Sequence, residues 1–180
     1  MKKHLLLYLL AMILFLVGCK QSSTSIATET KELNLKFLDI SAAKDTFKEF
    51  APDIIMPKDF YEGKYDKETY QIIAMDGEAV AKLKKDNHLD LLFRKDVAYL
   101  IKDYKDSSMA ELYNLHRGLK TTGSSGSAYS LYRIYENDQM KVIDLNEKEG
   151  KDAHRILILL NQLYHTEDAE SFNEWYVQLD

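Results

Sequence analysis

Hydrophobic and polar residues are distributed along the chain in three regimes. Leu5–Val17 is an unbroken apolar run behind a short basic head of Lys2, Lys3 and His4. As a helix it would be about 20 Å long, well short of the roughly 30 Å core of a bilayer. It has the length of the apolar region of a signal peptide, and polar sequence follows it directly. Lys20 to Glu32 (KQSSTSIATETKE) is rich in Ser, Thr and charge, with little to bury. This composition predicts a disordered tether. Counted from Cys19 it would reach at most about 50 Å and average about 20 Å as a coil.

From Leu33 the pattern becomes that of a folded domain. Leu33–Phe37 alternates and predicts a short strand. Ser41 is placed as the N-cap of a helix through Phe50, stopped by Pro52. Residues 51–65 predict a packed loop that buries Ile54, Ile55 and Met56. Thr69–Met75 reads as a strand ending in an Asp76-Gly77 turn, and Glu78–Lys85 as a helix with Ala79, Val80 and Leu83 inward. Leu89–Phe93 fits either state, with strand favoured. Val97, Leu100, Ile101 and Tyr104 have helical spacing behind Asp96. Ser108 and Glu111 have the spacing of a capping box, followed by an inward stripe of Met109, Leu112, Leu115 and Leu119.

Thr121–Ser127 (TTGSSGS) predicts a flexible turn. Tyr129–Glu136 and Gln139–Asn146 predict a hairpin about Asn137-Asp138, with Tyr135 opposite Met140 and Tyr132 opposite Ile143. Asp152–Tyr164 predicts a helix that is apolar on nearly all sides. A last helix is placed behind a Thr166 cap, with Phe172, Trp175, Tyr176 and Leu179 as its stripe. The sum is an α+β domain over residues 33–180: five or six helices with a small, mostly antiparallel sheet, without the strand–helix alternation of a parallel fold.

The apolar N-terminal run ends in Leu16-Val17-Gly18-Cys19. This resembles the lipobox of bacterial lipoproteins. The resemblance covers the first nineteen residues and implies cleavage between Gly18 and Cys19, with diacylglyceryl attached to the Cys19 thiol. A thiolate suits that chemistry, and two or three acyl chains hold a protein firmly where one does so only marginally. Residue 20 is Lys rather than Asp. By the same resemblance this favours the outer membrane, facing the periplasm, in a diderm source. In any other source it implies the outer face of the cytoplasmic membrane.

Charge narrows the partners. Cleavage would remove Lys2 and Lys3 from the chain's 24 basic residues, leaving 22 against 29 acidic and a formal net charge of −7. That balance argues against nucleic acid and predicts mild repulsion from anionic headgroups, so that the lipid alone contacts the bilayer. Cys19 is the only cysteine, so no disulfide forms within the chain.

Motifs with chemical meaning are few. Ser41-Ala42-Ala43-Lys44 has the Ser-x-x-Lys spacing of penicillin-binding enzymes, and Tyr135-Glu136-Asn137 has their Tyr-x-Asn, but Lys120-Thr121-Thr122-Gly123 is a residue too long and precedes the position it needs. An N-cap is the preferred role for Ser41. Residues 123–127 (GSSGS) match neither a nucleophile elbow nor a phosphate loop. His88, His116, His154 and His165 contain no i, i+4 pair, so no metal and no cofactor is expected. Asp144-x-Asn146 opens like a calcium loop, but Glu149 stands where Gly is needed. The terminal helix either docks on its own domain or presents Trp175 and Tyr176 to a partner. The expectation is a lipid-anchored, non-catalytic binding protein of the envelope, an accessory or immunity-type factor with a protein partner. The alternatives are a cell-wall-directed hydrolase and a carrier of lipid or small ligand.

Overall fold

Ile72–Met75 and Ala98–Ile101 are apolar at every position because both of their faces are buried. They belong to the centre of a six-stranded mixed sheet. In chain order its strands are β1 (Phe37–Asp39), β2 (Asp53–Ile54), β3 (Ile72–Asp76), β4 (Ala98–Lys102), β5 (Tyr129–Ile134) and β6 (Met140–Leu145). In space the order is β2-β1-β3-β4-β5-β6. The first four of these are mutually parallel; β5 and β6 continue the sheet antiparallel. This computed structural model describes residues 25–177.

Successive strand residues feed two separate cores, as the period of a strand requires. Phe37, Ile72, Ala74, Ala98, Leu100 and Leu131 face one core, with Phe47 and Phe50. That face is covered by α1 (Ile26–Glu32), α5 (Ala153–His165) and α6 (Ala169–Val177). Leu38, Ile73, Met75, Tyr99, Ile101 and Tyr132 face the other core. It is covered by α2 (Pro57–Tyr61), α3 (Gly77–Lys85) and α4 (Met109–His116). The α+β class and the six α-helices among the described residues agree with the sequence analysis. Antiparallel pairing, however, is confined to β4-β5-β6, and β3-α3-β4 is a parallel βαβ unit that the sequence concealed.

The concealment has a physical cause. Residues 97–104 have helical spacing only because nearly every position there is apolar, and such a run satisfies both periods. Ser41 does not start a helix. The N–H groups of Ser41, Ala42 and Ala43 are held by carboxylates, Asp45 and Ala51 have positive φ, and only the 3-10 turn Lys48–Phe50 forms. Leu89–Leu92 is also a 3-10 turn. Residues 26–32, expected in the tether, form α1, because Ser25 caps it and Ile26 and Leu33 pack on the first core. The last helix is capped by Asp168, whose carboxylate accepts the Ser171 N–H at 2.7 Å; Thr166 instead ends α5.

The hairpin forms one residue out of the expected register. Ile134 pairs with Met140, Tyr132 with Val142 and Leu131 with Ile143. The Asp138 N–H donates to the Tyr135 carbonyl and the Tyr135 N–H to the Gln139 carbonyl, with Asp138 at φ 63. This is a three-residue loop with a bulge, where a two-residue turn was expected. Shifting a strand by one residue exchanges its faces.

Candidate functional site

In an open sheet, ligands bind beyond the carboxyl ends of the strands where the winding reverses. Here the chain leaves β1 for β2 across one face and returns to β3 across the other, so the reversal lies between β1 and β3. Asp39 ends β1 and Asp76 ends β3, at 2% and 8% exposure. Both carboxylates are engaged by backbone. Asp76 accepts the N–H groups of Ala42 at 3.1 Å, Ala43 at 2.9 Å and Ala79 at 2.9 Å. It thereby caps α3 and anchors the loop after β1. Asp39 accepts the Ser41 N–H at 2.8 Å. Burial raises the Asp39 pKa; hydrogen bonding from Ser41 offsets this in part, and the charges of Asp76 and Asp45 add to it. Ser41 and Lys44 share no helix, so the penicillin-binding arrangement is not formed.

Residues 121–127, expected to be a flexible turn, are stitched to α4. Ser108 caps α4 as predicted, accepting the Glu111 N–H at 3.2 Å. Glu111 accepts the Ser124 N–H at 2.7 Å and the hydroxyls of Ser124 and Thr121 at 3.0 Å each. The hydrogen bonds from Ser124, with that from Thr121, lower the Glu111 pKa. At Gly126 a Cβ would overlap the Tyr104 carbonyl oxygen, so only glycine permits this approach.

Beside α4, on the second face, lies a cavity of about 570 Å³ lined by Lys84, Asn87, Leu89, Asp90, Leu112, Leu115 and His116. Leu112 is its buried floor and Leu115, at 50% exposure, its open wall. Phe93 supports this side of α4, its ring tilted against Tyr113 at 5.3 Å and His116 at 4.9 Å. Leu115 and Leu119 were expected inward. The helix stops at His116, Gly118 adopts φ 71, and Leu119 leaves the helical register half-exposed. The volume is within the range of ligand pockets; Leu89, Leu112 and Leu115 supply its apolar surface, and Lys84, Asn87, Asp90 and His116 its polar lining. Sequence reasoning missed this groove; the only trace of it was an apolar stripe longer than the helix that carries it. A second apolar exposure occurs at the β2 edge, where Ile54 is 61% and Met56 68% exposed, against the expectation that the core would bury them.

Gly18 and Cys19 lie outside the described residues. Trp175 and Tyr176 are half-buried against the first core, with ring centroids 5.5 and 5.9 Å from Phe172. The histidines are dispersed: His154 pairs with Glu29 at 2.9 Å, His88 stacks on Tyr61 and His165 lies edge-on to Tyr164. Among the described residues no three His, Cys, Asp or Glu side chains converge as metal ligands would. Among them, too, no helix is long and apolar enough to cross a membrane. No family model, curated protein or solved structure matches the chain.

Proposed function

We propose that this chain is a bacterial envelope lipoprotein, lipidated on Cys19, whose domain binds a protein partner through the α3–α4 groove as an accessory or immunity-type factor and catalyses no reaction. The lipobox resemblance of Leu16–Cys19 supports the anchor. The observation that carries the binding role is the groove itself: a largely apolar concavity walled by a half-exposed leucine is surface that a partner would cover. The Asp76 carboxylate at the end of β3 supports a non-catalytic role, because both of its oxygens accept backbone N–H groups. The net acidic domain would speed capture of a basic partner.

The test is in-cell photocrosslinking from position 115, with the full-length, membrane-bound protein. A discrete crosslinked protein, lost when the probe is moved to exposed Lys58 on α2, is the expected result, and Leu115→Glu in place of the probe should abolish recovery of the same protein by chemical crosslinking. Leu115→Glu should leave the melting temperature nearly unchanged, because the side chain is half-exposed. The groove volume also favours a second reading, a carrier of a small apolar ligand. Native mass spectrometry revealing a bound lipid in place of a crosslinked protein would support it. Cleavage of peptidoglycan by the purified protein would overturn the proposal.

A further inference from the structure

We infer that the helical layer α1–α5–α6 lies against the headgroup region of the membrane that holds the anchor, with Trp175 and Tyr176 at the interface and the α3–α4 groove turned away from it. The inference rests on the proposed lipidation of Cys19 and adds to it an orientation and a lipid-contacting surface, in place of the expectation from net charge that the lipid alone touches the bilayer.

The first support is the length of chain between anchor and domain. Ser25 caps α1, and only Lys20–Thr24 lie between that cap and Cys19. That interval reaches at most about 20 Å. A domain of this size has a diameter of about 40 Å, so the tether is too short for the molecule to turn over. α1, the first element after the tether, packs on the first face beside α5, and the His154–Glu29 pair at 2.9 Å ties the two together. The groove lies beyond the sheet, on the opposite face. With helices on both sides of a sheet, that is about 30 Å away.

The second support is what this layer exposes. Trp175 and Tyr176 are half-buried on α6, and Val177 beside them is exposed. Trp and Tyr are the side chains that favour the membrane–water interface, because an apolar body carries a polar tip. α6 packs on the same core as α1 and α5; at the usual 8–10 Å between neighbouring helices it is about 20 Å across the layer from α1, close enough to share one flat contact. The acidic residues Glu167, Asp168, Glu170 and Glu174 flank the aromatic pair, which suits zwitterionic rather than anionic headgroups. A contact too weak to recruit the free domain is populated here, because a short tether imposes a millimolar effective concentration.

Trp175 is the only tryptophan in the chain and is therefore its own probe. The mature, full-length protein is reconstituted in phosphatidylcholine vesicles with bromine placed high on one acyl chain. Trp175 emission should fall by half or more relative to unbrominated vesicles, and less when phosphatidylglycerol is added. A spacer of about twenty Gly-Ser residues between Thr24 and Ser25, adding about 25 Å of coil, should restore most of the emission. A Trp175→Phe, Leu115→Trp variant, reporting from the groove, should stay bright. If protein that floats with the vesicles keeps unquenched Trp175, or is quenched from position 115 instead, the orientation is overturned and the anchor stands. If the parent fails to float, as Cys19→Ser is expected to, the anchor itself is overturned and the orientation with it.

Discussion

At the scale of single residues, two buried aspartates at neighbouring strand ends do different work. Asp76 is a three-fold acceptor whose loss leaves the N–H groups of Ala42, Ala43 and Ala79 without a partner. Losing a helix cap costs about 1 kcal/mol and each buried unsatisfied group about 1–3 kcal/mol more. Asp76→Ala should therefore lower the unfolding free energy by about 3 kcal/mol, read as a lower urea midpoint at unchanged slope. Asp39 carries a raised pKa because burial disfavours its charge. The folded state then binds the proton more tightly than the unfolded state. Stability from this group is greatest below its ordinary value of 3.8 and is lost as pH rises through the raised value. Asp39→Asn keeps an oxygen for the Ser41 N–H and removes the charge. It should equal or exceed the parent in stability at pH 7, with the advantage vanishing below pH 3.8 in paired urea titrations. Sequence alone marked Asp76 as a turn residue and gave no sign that Asp39 is buried, because burial depends on the strand it ends.

At the scale of elements, local chemistry was legible where it is truly local. Ser108 caps α4 and Asp152 caps α5, accepting the N–H groups of Glu111 and Arg155, and the leucine-rich run 156–163 is a helix as expected. The end of α3 offers a further test. Asn87 has φ 61, its N–H donates to the Lys84 carbonyl, and the His88 N–H donates to the Leu83 carbonyl. Two such closing bonds around a left-handed residue form the helix end that glycine favours. Asn87→Gly should add about 0.5 kcal/mol, seen as a higher denaturant midpoint. Strand and helix were confused at 97–104 because a strand buried on both faces has no polar side to reveal its period. The hairpin register slipped for a smaller reason: Asn-Asp serves either a two-residue turn or a bulged loop, and the cross-strand neighbours of both registers are apolar.

At the scale of the whole molecule, the proposed anchor and the sheet divide the labour. A thioether-linked diacyl chain at position 19 would hold the domain at a membrane, since each buried methylene contributes about 0.8 kcal/mol. Cys19→Ser should leave an uncleaved precursor or a protein in the soluble fraction, checked by fractionation and by the mass of the N-terminal peptide. The sequence by itself determined what depends on neighbouring residues: the Ser108 cap, a hairpin near residues 129–146 though not its register, and the α+β class, whereas the caps expected at Ser41, Asp96 and Thr166 do not form. Tertiary structure alone decided which apolar residues stay exposed. The groove joins residues 84–90 to 112–116, segments whose proximity follows from α3 and α4 covering the same face of the sheet. Leu115 and Leu112 are the same residue type three positions apart, and only the packing of α4 against α3 and Phe93 buries one and leaves the other half in water.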